Sequence, residues 1–179
     1  MDTDTLETFD DERIGWTKQR IAALLVVLAL AAFWIWGFSP WAPYNKADGI
    51  HDKAFLTHAK ADCKTMRDQL ATLPTARLSH TANERADVIA QSAPILATMV
   101  SALRRDAAGL LGRDATLTTQ WIDDWEEYSR NRQTYAASLR LDAHAQFTVT
   151  ERNRGQITET MDGFSRVNDL ASCLVPGDV

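Results

Sequence analysis

Asp123, Asp124, Glu126 and Glu127 crowd into one short stretch of this 179-residue chain. Carboxylates gathered so closely are raw material for acid–base chemistry. Two of them flanking a cleft can cleave a glycosidic bond, one as acid and one as base or nucleophile. Their setting argues otherwise. On a helix the four acids fall on the face away from Trp121, Trp125 and Tyr128, and Glu126 and Arg130 have the spacing of an ordinary surface ion pair. His58 and Asp62, one helical turn apart, could share a metal ion. No HExxH, CxxC or second carboxylate–histidine pair completes a ligand set. There is no GxSxG, phosphate-binding glycine loop or GxGxxG either. The expectation is no catalytic residue, no metal and no cofactor.

The more distinctive face is aromatic. Trp121, Trp125, Tyr128, Tyr135 and Leu139 recur at helical spacing, and Arg132 occupies the same stripe. Such a stripe is ordinarily packed core. Because Trp and Tyr also stack on sugars and lipids, Trp121, Trp125, Tyr128 and Arg132 are at the same time the candidate ligand or partner face. An arginine in an apolar seam must pair with a carboxylate, extend to water, or face a pocket.

These residues need elements to hold them. Leu56, Ala59, Cys63, Met66, Leu70 and Leu73 alternate at spacings of three and four, which predicts one helix that Pro74 stops. Thr81 and Glu84 form a capping-box pattern ahead of a second seam, Ala82, Ala86, Ile89, Ala93, Leu96, Val100, Leu103, Ala107 and Leu110. Pro94 interrupts this helix and should kink it without changing its register. Gly109 and Gly112 mark its end. The aromatic helix follows from about Asp114 to Leu141, then a short hairpin in Phe147–Ile157 around Arg154-Gly155. Met161, Phe164, Val167 and Leu170 return to helical spacing and lead to Cys173. The expected fold class is all-α: a helical bundle of three long helices and a C-terminal helix.

Ahead of the bundle lies a run with no charge, IAALLVVLALAAFWIWGF, Ile21 to Phe38. It makes roughly 27 Å of helix, close to a bilayer core. Trp34, Trp36, Trp41 and Tyr44 gather at its far end and Trp16 precedes it, as expected at headgroup depth. The end of the run is bulky and Pro43 follows Ala42, so an uncleaved anchor is expected in preference to a signal peptide cut near Ala31 or Ala32. Arg13, Lys18 and Arg20 favour a cytoplasmic N-terminus. Both cysteines, Cys63 and Cys173, lie beyond the span. An even count so placed suits a disulfide in an oxidising compartment; two buried free thiols are the alternative. The division is then residues 1–20 as a short acidic cytoplasmic tail, 21–38 as transmembrane anchor, 39–50 as juxtamembrane linker, and 51–179 as extracytoplasmic bundle. The tail is too small for a signalling output domain, so an inward signal would pass through a partner. A net charge of −5, well mixed, disfavours a nucleic-acid surface.

The stretch WIDDWEEYSRNRQTYAASL followed by ITETMDGFSRVNDLASC resembles short single-span membrane proteins of GC-rich Gram-positive bacteria with a small extracytoplasmic helical domain. The resemblance covers most of the segment after the span. It implies the same topology at the cell membrane and transfers no site residue. Two functions fit these features. The first is a membrane-anchored interaction module, an accessory or scaffold subunit of a larger membrane or cell-envelope complex, held in the bilayer by Ile21–Phe38. The second is a ligand-binding module for a glycan, lipid or small acid, using the aromatic and Arg132 face.

Overall fold

A computed structural model describes residues 17–38, 48–152 and 154–178. Trp16, Trp41, Pro43 and Tyr44, which carry part of the anchor argument, lie outside the described residues. The chain is mostly helical and divides into two units, Met1–Asn45 and Lys46–Val179.

The first unit contains α1, Lys18–Gly37. Thr17 caps it by accepting from the Arg20 N–H. No residue of α1 is buried against protein, and its apolar side chains point outward all round. Lys18–Gly37 is one of two described helices long and apolar enough to cross a membrane; the other is Ala82–Ala107 in the second unit.

The second unit is a helical bundle. α2 spans Lys53–Leu70, α3 Ala82–Ala107, α4 Gly112–Leu141 and α5 Ile157–Val167. Asp52 caps α2, and the Asp114 carboxylate at the start of α4 accepts from the His51 and Asp52 N–H groups, so the two helix starts are tied together. α2 buries Phe55, Ala59, Cys63 and Met66. The seam therefore begins one residue earlier than the Leu56 register suggests, and the helix ends at Leu70, ahead of Pro74. The Thr81–Glu84 capping box forms as expected. α3 runs through Pro94 without interruption, with Pro94 itself on the exposed side. α3 buries one face, including Ile89, Leu96, Val100 and Leu103, which accounts for its apolar composition. Gly112 has φ +58°, a left-handed conformation that favours glycine, and it turns the chain into α4.

The segment after α4 doubles back along it. Phe147 wedges between Tyr128 and Tyr135, at ring-centroid distances of 6.2 and 5.3 Å, and Asn131 accepts from the Thr150 N–H. The expected hairpin is present in minimal form. Strand β1, Glu151–Arg152, pairs antiparallel with β2, Gly155–Gln156, and Arg154 makes the turn at φ 70°.

After α5, Asp169 adopts φ 57° and a 3-10 turn at Ala171–Cys173 returns the chain to α2. There the sulfurs of Cys63 and Cys173 lie 2.11 Å apart, at bonding distance, with Cα atoms 5.0 Å apart. The chain also closes at its entry. Asn168 accepts from the Ile50 N–H at 2.7 Å and donates to the Asp48 carbonyl at 3.0 Å. The packed unit thus takes in Ile50, inside the stretch expected to be linker.

Candidate functional site

α4 presents its aromatic stripe to the core. Trp125, Tyr128 and Arg132 are fully buried, and Trp121 packs edge-on to Trp125 and stacks on Phe164 at 4.8 Å. The indole N–H groups of Trp121 and Trp125 have no hydrogen-bond partner among the described residues, so shape and area hold these rings.

Arg132, 2% exposed, resolves its position by pairing. Its guanidinium forks onto the Asp178 carboxylate, Nη1 to Oδ1 at 2.7 Å and Nη2 to Oδ2 at 2.8 Å. Nη2 also donates to Ser92 Oγ and Nη1 to Tyr128 Oη, while Tyr128 donates to the Pro176 carbonyl. Burial pushes the Asp178 carboxyl up, but the hydrogen bonds and charge of Arg132 outweigh it and leave the carboxyl below its ordinary range. The effect is mechanical: Arg132 and Tyr128 pin the C-terminal tail, Pro176–Asp178, against the bundle. Arg67 adds to this from α2, donating to the carbonyls of Ser172 and Leu174.

The pinned tail forms one wall of a hollow of about 450 Å³ whose other walls include Leu70, Leu73 and Val88. A second hollow of about 500 Å³ adjoins it, sharing Pro74, Thr75 and Val88 and reaching Leu78 and Asp87. Leu78 is 77% exposed beside this groove.

The acidic cluster does not lie on one wet face. Asp124 is 1% exposed, held by Arg152 from the hairpin. Burial raises its carboxyl above the usual range, against the pull of Arg152. A helix places Asp124 three residues from Trp121, close enough for α4 to bury both; the polar type masked this in the sequence. Of the remaining acids, two pair across helices and one within α4. Glu126 and Asp123 both take Arg104 of α3, and Arg130 pairs with Glu127. The Glu126–Arg130 pair is not formed, because Arg104 reaches Glu126 from the neighbouring helix.

Asp124 and Trp121 line a third hollow, a cleft of about 290 Å³ between α4 and α5, together with Asp48, Phe164 and Gly163. Of the four candidate face residues, Trp121 alone is among its lining. His58 faces Asp106 of α3, Nδ1 to Oδ2 at 3.6 Å, and does not join Asp62 in a ligand set. Burial, then the nearby Asp106 carboxylate, push the Asp62 carboxyl up. Among the described residues no three ligating side chains come together for a metal. No protein-family model, curated protein or solved structure matches this chain.

Proposed function

We propose that the chain is a membrane-anchored interaction module, an accessory subunit of a larger membrane or cell-envelope complex. In this reading α1 holds it in the bilayer with the N-terminus cytoplasmic and the bundle outside. The bundle docks a protein segment in the groove between the α2–α3 turn and the C-terminal tail. One observation carries the reading: two adjoining hollows share an apolar floor of Pro74 and Val88, with Leu78 standing exposed at the edge. Pro74, Val88 and Leu78 together give this concavity an apolar surface that a partner side chain could cover. The rim chemistry narrows the partner. Glu84 and Asp87 border one hollow and Arg67 and Asp178 the other, so the rim carries both signs and suits a segment offering an apolar side chain flanked by polar ones. The Arg132–Asp178 fork serves this by fixing one wall.

The test is a photo-crosslinking amino acid at position 78 or 88, with position 57 on the exposed side of α2 as control, in cells of the source organism. A single discrete adduct at 78 and 88, absent at 57 and lost when Pro74 and Leu73 are replaced by aspartate, supports the reading. Adducts identical at all three positions refute it. Mass spectrometry of the membrane-extracted chain should recover the N-terminal peptide; a mature chain beginning between Ala32 and Tyr44 would remove the anchor from the proposal.

A further inference from the structure

The cleft between α4 and α5 is separate from the groove and has different chemistry. We propose that it binds a small organic ammonium ion, the charged nitrogen held by the Asp48 and Asp124 carboxylates and the apolar body against Trp121, Phe164 and Leu117.

Three features of the cleft carry this. The first is sign. Among the described residues two carboxylates line it, and no lysine, arginine or histidine does. Arg152 reaches Asp124 Oδ1 from the hairpin side, and among the described residues Asp48 has no ion-pair partner. Such a lining attracts a cation and rejects an anion. The second is wall chemistry. Trp121 and Phe164 form a stacked aromatic pair at 4.8 Å, and Leu117 extends the apolar surface. Aromatic walls beside carboxylates suit a nitrogen cation on a hydrocarbon body, which gains from both ring and charge. The volume of about 290 Å³ limits the ligand to a small molecule.

The third is Gly163. It stands inside α5, where glycine weakens a helix relative to alanine. Its backbone is not in the left-handed region, and a Cβ there would meet no atom within 4 Å. Neither conformation nor crowding calls for glycine at this position. What the missing side chain provides is open space on the cleft wall.

The experiment uses the full chain in lipid nanodiscs and isothermal titration with 2-phenylethylammonium, the neutral 2-phenylethanol and the anion 3-phenylpropanoate. The ammonium ion should bind at least about tenfold more tightly than the alcohol, the scale of one desolvated cation–π or ion contact, and the anion should show no heat. Gly163→Leu should abolish binding while keeping the helical signal and the thermal midpoint. Asp48→Asn should weaken it about tenfold without unfolding the chain, since Asp48 is exposed. Equal binding of ammonium and alcohol would overturn the proposal. So would undiminished binding to a folded Gly163→Leu chain, or absence of binding by all three probes to the unaltered chain. The groove partner plays no part in this assay, so its outcome is independent of the docking proposal.

Discussion

Replacing both Cys63 and Cys173 with alanine should destabilise the bundle strongly while leaving its architecture in place. The pair is separated by 110 residues in sequence. In the chain-entropy treatment, closing a loop of that length removes about 16 cal/mol/K from the unfolded ensemble, or about 4.8 kcal/mol at 25 °C. Both cysteines are wholly buried, so losing the sulfurs adds a small packing deficit on the order of 1 kcal/mol. The fold should survive because the same junction is held without the sulfurs. Arg67 Nε donates to the Ser172 carbonyl at 2.9 Å, Ser172 Oγ donates to the Lys60 carbonyl at 3.0 Å, and Ser165 Oγ lies 3.0 Å from the Cys173 carbonyl. Alanine is preferred to serine because a buried hydroxyl at position 63 would need a new acceptor. The assay is urea unfolding of the full chain in nanodiscs, read by pulse proteolysis. With an m-value of about 2 kcal/mol/M, the midpoint should fall by about 2–3 M. Midpoints agreeing within about 0.3 M would refute the reasoning, since the loop would then contribute nothing. Collapse of the helical signal before any urea is added would refute the other half, that the polar contacts suffice to hold the junction.

Arg152→Ala should destabilise more than Asp124→Asn, by about 3 kcal/mol against less than about 1, because the first strands a buried carboxylate and the second leaves only a half-exposed arginine that water can solvate. The raised carboxyl of Asp124 also fixes a pH trend: protonation favours the folded state, so stability is gained as pH falls through the folded value. The thermal midpoint of Arg152→Ala should therefore rise as pH drops from neutral towards 5, where a variant that also carries Asp124→Asn should stay flat. Asp178 has the opposite sign. Its lowered carboxyl means stability present above the ordinary carboxylate range and lost as pH falls through the folded value, so the thermal midpoint should fall more steeply in strong acid than that of Asp178→Asn. Trp125→Ala should cost about 3–5 kcal/mol and abolish cooperative unfolding, whereas Asp123→Ala should change stability by less than about 0.5 kcal/mol, both measurable by thermal melts. A well-folded Trp125→Ala chain would move the aromatic stripe out of the core.

The periodic elements were legible because apolar spacing reports which face is buried. The α2 and α3 seams, the Thr81–Glu84 capping box and the aromatic face of α4 all follow from local pattern. What pattern missed was the burial of Asp124 and, for Arg132, which it did place in the seam, the identity of the paired carboxylate. Asp124 is inside because Arg152 arrives from a hairpin 28 residues on, and Arg132 is inside because Asp178 arrives from the C-terminal tail. No local rule announces either partner. Glu126 illustrates the same limit in reverse, since its i,i+4 arginine was available and an arginine from another helix took it. Gly163 was visible as a glycine within a helical pattern, which is a signal of close approach or open space, but its spatial meaning needed the neighbouring α4 wall.

The closure of the bundle at its entry has a consequence under load. Asn168 grips the backbone at Asp48 and Ile50, and a short way further in Cys63 is joined to Cys173. A pull between Asp48 and the C-terminal tail would meet the Asn168 grip first. Once that gave way, only the residues before Cys63 and those after Cys173 could pay out, about 70 Å of chain at full extension. Without the sulfur bond the same pull could draw out about 450 Å. Such a pull would strip the start of α2 from the core and release the tail from Arg132 and Tyr128, while the sulfur bond would keep the segment between the two cysteines from being drawn out with them.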